Sequence, residues 1–203
     1  MVQGELIMVK HQRGRSLFTK YKKILFFLSK GISIFPKGSR IKILQFFRGT
    51  KGIKGIALRY ILLRSICEKC GDNVSVHDSV YLLNPDKLSL GDNVSIHPMC
   101  YIDAAGGIEI GNDVSIAHNA TILSTTHTFE DIKVPIKDQE VKYEKTKLMD
   151  DIWIGCKATI LSGTVVGSGV VIAAGSVVNK NINNNTVVAG VPAKKIKDRS
   201  GCL

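Results

Sequence analysis

The sequence predicts an all-β solenoid of hexapeptide repeats with a mainly helical N-terminal extension and a protruding loop. Three observations predict it. First, Ile154, Ile160, Val166, Ile172 and Val178 recur at an unbroken spacing of six. A helical face would repeat every three or four residues and a half-buried strand every two, so neither produces this spacing. Second, small or β-branched residues (Ala158, Thr164, Val170 and Ser176) follow four places after successive aliphatics, and Gly155, Gly167 and Gly175 mark bends. Each hexapeptide then reads as one short strand plus one turn, and three make an eighteen-residue coil whose aliphatics point into a prism. Third, the chain of 203 residues is 44% hydrophobic but only 6% aromatic. A narrow interior of coils stacked about 4.8 Å apart holds Ile, Val and Ala better than rings.

In chain order, residues 1–65 show no hexad and form a basic, mainly helical segment. Two apolar bursts, Ile24 to Leu28 and Ile41 to Phe47, alternate along the segment with lysines and arginines. Neither reaches the roughly 18 apolar residues that a spanning helix needs. Gly49, Gly52 and Gly55 loosen the chain before a helix expected from Ala57 to Cys67. Two readings of this segment stand side by side. It caps the open end of the solenoid, whose first coil would otherwise expose unpaired strand edges, or it lies on an anionic membrane surface.

Residues 66–188 form the predicted solenoid. Ladder positions fall at Cys70, Val76 and Leu82, at Leu90, Ile96 and Ile102, and at Ile110, Ile116 and Ile122. These triplets start twenty residues apart, so each early coil carries a two-residue insertion at one corner. GDNVS at 71–75 and 91–95, with GNDVS at 111–115, is an internal repeat. Its Asp and Asn suit tight turns, because both tolerate a left-handed backbone and bond their own main chain. The pattern stops after Leu123 and resumes at Leu148, which leaves a charged excursion over 124–147. A long loop interrupting a regular scaffold is more often functional than incidental. Residues 189–203 form a C-terminal tail.

The formal net charge of +11 is unevenly distributed. Up to Cys70 the only acids are Glu5 and Glu68, whereas the remainder has slightly more acids than bases. The five cysteines do not make a disulfide framework, and Cys67 with Cys70 is a single CxxC lacking a second pair for zinc. An odd count with no secretory signal fits a reducing cytoplasm, with the inner face of the membrane open to the basic segment. No nucleic-acid partner is expected.

The candidate catalytic residue is His127, at the root of the excursion. An imidazole held by the scaffold's edge yet open to solvent can take a proton from a hydroxyl within hydrogen-bond reach. The hexads, the interrupting loop with this histidine, the WIG at 153–155 and the closing AGVPAKKI at 189–196 together resemble the hexapeptide-repeat acyltransferases. Within these the chain is similar to the galactoside and maltose acetyltransferases, in particular a branch of polysaccharide O-acetyltransferases. The likeness covers roughly Cys67 to Arg199. It implies a left-handed parallel β-helix, a homotrimer, and acetyl-coenzyme A bound between neighbouring prisms, with no metal.

The resemblance further implies that His127 is catalytic and that Trp153 lies near it. It assigns coenzyme contacts to Cys156, Ala174, Asn179, Lys180, Lys194 and Lys197, with Pro192 shaping the turn. Relatives often have serine at 156, threonine at 179 and arginine at 194 and 197. Lysine keeps the positive charge for the coenzyme's phosphates but loses the bidentate fork of arginine. On the acceptor side His97 and the Asp103–Ala105 corner match only loosely, with Asp103 standing in for a carboxylate that relatives use.

The implied chemistry is transfer of an acetyl group from acetyl-coenzyme A to a hydroxyl of a sugar or glycan precursor, by direct attack on the thioester. Cys156 as a nucleophile is a weaker reading, because no neighbouring base is evident. Hexapeptide prisms also host zinc carbonic anhydrases, which need three histidines around the metal. Here His77 and His97 are twenty apart, His118 is one residue out of phase, and the closely spaced pair of that family is missing. A noncatalytic glycan-binding scaffold is the third reading.

Overall fold

A computed structural model describes residues 13–199. The ends of the N-terminal segment and of the C-terminal tail lie outside the described residues.

Residues 69–189 wind as a solenoid of parallel strands in three sheets. Its registers follow the six-residue ladder. In the first sheet Cys70, Leu90, Ile110, Leu148 and Val166 pair in succession, and Val166 then bridges to Ile182. In the second sheet the series is Val76, Ile96, Ile116, Ile154, Ile172 and Val188. In the third it is Leu82, Ile102, Ile122, Ile160 and Val178. Apart from the half-buried Cys70 and Ile182, these side chains are buried in one continuous core. Full burial of one such aliphatic contributes about 1.5–3 kcal/mol, so the stack of rungs is the main source of stability.

The corner between the first and second sheets carries the GDNVS repeat. Asn73, Asn93, Asp113 and Asp151 all sit there with φ between 53° and 58°, the left-handed conformation that Asn and Asp tolerate. Their neighbours tie successive coils together. Asp92 Oδ1 accepts from the Asp72 N–H at 2.7 Å, Asn112 Oδ1 from the Asp92 N–H at 2.8 Å, and Asp150 Oδ1 from the Asn112 N–H at 2.6 Å. Gly71, Gly91 and Gly111, before Asp72, Asp92 and Asn112, are required by close approach. A Cβ on Gly91 would lie 2.6 Å from the backbone of Gly111.

Three helices precede the solenoid: α1 (Arg13–Ile32), α2 (Lys37–Phe46) and α3 (Gly52–Ile66). No helix among the described residues is long and apolar enough to cross a membrane. The third helix begins five residues earlier than the sequence suggests. Gly52 and Gly55 do not loosen the chain but belong to the first turn, where a Cβ on Gly55 would stand 2.0 Å from the Thr50 carbonyl oxygen. That contact lets α3 pack back on its own approach and bury Arg59, Tyr60, Leu62, Leu63 and Ile66.

α3 covers the first coil and satisfies its outward-facing carbonyls. Arg59 Nε donates to Val76 O at 2.7 Å, Arg64 Nη1 to Cys70 O at 2.7 Å, and the Tyr60 hydroxyl to Gly71 O at 3.2 Å. Arg59 also reaches Thr50 O at 2.9 Å. Its burial pulls the guanidinium below its usual range, an effect partly offset by Asp78. Burial pushes the Cys67 thiol well up and the Cys70 thiol up to about 12. Both therefore behave as small apolar residues rather than thiolate ligands.

Candidate active site

The corner between the third and first sheets is the irregular one. The two-residue insertions of the first two coils fall there, between Leu82 and Leu90 and between Ile102 and Ile110. In the third coil the long excursion leaves from the same corner, after Leu123. It is a clasped hairpin rather than an open loop. Strand Thr125–His127 pairs antiparallel with Val141–Tyr143, Thr125 facing Tyr143 and His127 facing Val141. The chain has rejoined the first sheet by Thr146, which pairs with Ile108.

Hydrogen bonds hold the base of this hairpin. Thr146 Oγ1 donates to Leu123 O at 2.7 Å, and the Glu144 N–H to Ser124 O at 2.8 Å. Farther out, the Thr128 N–H donates to Glu140 O at 2.9 Å, and the Gln139 side-chain amide donates to Asp131 O and Val134 O, both at 2.9 Å. Lys145 pairs with Glu109 on the first sheet. That hydrogen bond is the main cause holding the Glu109 carboxyl below the usual carboxylate range and the Lys145 amine above its own.

His127 is exposed on this hairpin, and among the described residues its ring has no hydrogen-bond partner. Asp103 sits at the root of the same corner. Its Oδ1 accepts from the Ala105 N–H at 3.1 Å and from Asn84 Nδ2 at 3.2 Å, and its Oδ2 accepts from Thr125 Oγ1 at 3.4 Å. Alternation along a strand puts Thr125 and His127 on one face, so Asp103 and His127 share a side of the hairpin root. Ser124, buried below them, donates to Asp103 O at 2.7 Å and accepts from the Gly106 N–H at 2.9 Å. The ties from Ser124 and Thr125 to Asp103, and the pairing of Thr125 with Tyr143, are set by the folded corner and leave no trace in the six-residue spacing.

The corner between the second and third sheets gathers another set. The half-buried Cys156 and the exposed Ala174 stack on adjacent coils, with the Gly175 N–H donating to Cys156 O at 2.9 Å. Above them the Val177 N–H donates to Gly190 O at 3.0 Å, and the Ala193 N–H to Val177 O at 2.8 Å. These bonds hold the turn that contains the exposed Pro192. The tail then returns along the second sheet as Lys194–Asp198, pairing Lys194 with Ala189 and Lys197 with Val187. Cys156, Ala174, Pro192 and Lys194 therefore share one strip. Asn179 and Lys180, also exposed, lie at the other end of the third-sheet strand Val177–Val178, on the hairpin's corner.

Trp153 and His97 stand apart from His127. Trp153, 53% exposed, belongs to the second sheet and pairs with Ser115 and Val171. The His97 ring stacks on His77 at 4.9 Å and 9° beside that sheet. Burial, then the neighbouring His97 and Arg59, push the His77 imidazole down. Among the described residues no group of three His, Cys, Asp or Glu is placed to hold a metal. The clefts of 340 and 460 Å³ at the helical end and of 330 Å³ on the first sheet are not lined by His127.

A family model for bacterial transferase hexapeptide (six repeats) matches residues 145–180. WbbJ of Escherichia coli strain K12, named for lipopolysaccharide biosynthesis O-acetyl transfer, is 56% identical over 46 residues, 23% of this chain and 24% of its own length. A maltose O-acetyltransferase structure from Clostridium difficile 630 is 27% identical with a TM-score of 0.73, over 84% of this chain and 89% of that one. The chain is thus similar, in sequence over part of its length and in fold over most of it, to hexapeptide-repeat transferases. A galactoside acetyltransferase structure in complex with coenzyme A superimposes on this hexapeptide-repeat protein with a TM-score of 0.70 and 28% identity, over 81% of each chain. The stretches matched in curated relatives span 24% of those relatives' length.

Proposed function

We propose that this chain moves an acetyl group from acetyl-coenzyme A to a hydroxyl of a sugar or glycan precursor, with His127 as general base. The observation that carries the reading is an exposed imidazole on a hydrogen-bonded hairpin, rooted at the variable corner of an otherwise regular prism. The likeness to a galactoside acetyltransferase in complex with coenzyme A supports the donor. The strip of Cys156 and Ala174 fits it physically. Small side chains leave room for an extended pantetheine-like arm, and the exposed Lys194 and Lys197, with Asn179 and Lys180 at the far corner, offer charge and hydrogen bonds to phosphates.

An imidazole nitrogen of His127 accepts the proton of the acceptor hydroxyl as its oxygen attacks the thioester carbonyl carbon. The oxyanion so formed is met by a backbone N–H, the C–S bond breaks, and the imidazolium returns its proton to the departing thiolate. Asp103 and His97 are the proposed acceptor contacts, and the Cys156 thiol has no chemical role. His127 and Trp153 belong to different sides of one prism, which supports a site completed between protomers of a homotrimer. A cytoplasmic compartment goes with this reading, since Cys67, Cys70, Cys100 and Cys156 are free thiols.

His127→Ala tests the proposal. The variant is expected to fold and to bind acetyl-coenzyme A as the parent does, while turnover falls by roughly two to four orders of magnitude. A variant keeping most of its turnover removes His127 from the mechanism. An acetyl-enzyme isolated without acceptor, and absent after Cys156→Ala, would transfer the role to the thiol.

A further inference from the structure

The helical segment has an outer face that the solenoid does not use. On α1, Phe18, Leu25, Phe26 and Ile32 pack on the core, and Lys22 pairs with Asp72 at 2.5 Å. To one side of that buried face Leu17, Tyr21, Ile24 and Leu28 fall at helical spacings and form a stripe that is 43–57% exposed. Beside the stripe run Lys20, Lys23, Phe27 and Lys30, with Phe27 76% exposed, and Ile34 just beyond the helix is 86% exposed. The stripe borders an apolar groove of 460 Å³ shared with Ile53 and Ile56 of α3.

Charge on this segment has one sign. Residues 1–65 hold fifteen Lys and Arg against one acid, Glu5. Arg15 and Lys22 are paired with Asp113 and Asp72 of the solenoid. Among the described residues, Lys20, Lys23 and Lys30 have no carboxylate partner. Exposed apolar side chains beside unpaired lysines match a layer that is anionic at its surface and hydrocarbon just beneath. A nucleic acid would engage the lysines but leave Ile24, Phe27 and Ile34 in water.

We propose that this face seats the protein on an anionic lipid bilayer, with Leu17, Ile24, Phe27 and Ile34 entering the headgroup boundary and Lys20, Lys23 and Lys30 meeting lipid phosphates. The proposal concerns residues outside the acetyl-transfer machinery and does not depend on it.

Flotation of the full chain with phosphatidylcholine vesicles, with and without phosphatidylglycerol, tests it. The protein is expected to float with the anionic vesicles alone and to be released as salt is raised. Ile24→Ser with Phe27→Ser, and separately Lys20→Gln with Lys23→Gln and Lys30→Gln, are each expected to lower the bound fraction about tenfold or more. Circular dichroism is expected to stay unchanged, since all five side chains are exposed. Failure of the full chain to float with anionic vesicles overturns the proposal. So does floating that survives the serine pair, which marks a contact made by charge alone. A fall in sedimentation mass caused by the serine pair also overturns it, because a second copy would then cover the face. Acetyl transfer to a soluble acceptor is expected to be unaffected by either variant, so failure of the seat and failure of the transferase reading are read separately.

Discussion

The corner between the first and second sheets and the corner between the third and first sheets are built from the same coils and could hardly differ more. At the former every turn is tight, each Asx side chain catches the N–H of the coil before it, and glycines let neighbouring backbones touch. At the latter the chain inserts two residues twice and then an entire hairpin. At the variable corner only the root is tied between coils, through Asn84, Asp103, Gly106 and Ser124. The outer hairpin bonds within itself and can lengthen, because closing a longer loop costs little extra entropy. The variable corner is therefore where a solenoid can acquire a reactive side chain without disturbing its rungs.

That contrast gives an ordered set of expectations for stability, measured as unfolding midpoints in urea titrations. The rungs should matter most. Ile160→Asp buries an unpaired charge in the prism and is expected to cost more than about 3 kcal/mol; unchanged unfolding would mean that Ile160 does not face the core. Gly91→Ala at the regular corner comes next. Its Cβ would meet the Gly111 backbone at 2.6 Å, and neither coil can yield without breaking register, so a loss of about 1–3 kcal/mol is expected.

Asp92→Ala removes the acceptor of the Asp72 N–H. One hydrogen bond at an exposed edge should cost about 1 kcal/mol in the same urea titration. The smallest effect belongs to the variable corner. Replacing residues 130–138 with a short Gly-Ser link is expected to shift stability by less than about 0.6 kcal/mol, with cooperative unfolding preserved. A loss as large as that of Gly91→Ala would erase the distinction between the corners.

The sequence alone determined the solenoid, because six-residue periodicity is a local signal. Each ladder residue from Val76 to Val178 announces its inward direction through its spacing, and the registers follow from stacking like on like. It also located the excursion and His127, since an interruption of a regular pattern is as legible as the pattern. It did not show that α3 starts at Gly52, because the glycines there serve a backbone contact with Thr50 that no propensity records. Nor did it show that Arg59, Tyr60 and Arg64 close the first coil, a role set by unpaired carbonyls that exist only once the coil is formed. The hairpin pairing of Thr125 with Tyr143, the tie from Thr125 to Asp103, and the separation of Trp153 from His127 were likewise decided in three dimensions. The physical reason is the same throughout. Repetition writes a fold into composition and spacing, whereas caps, clasps and site geometry depend on which backbone groups the finished fold leaves without partners.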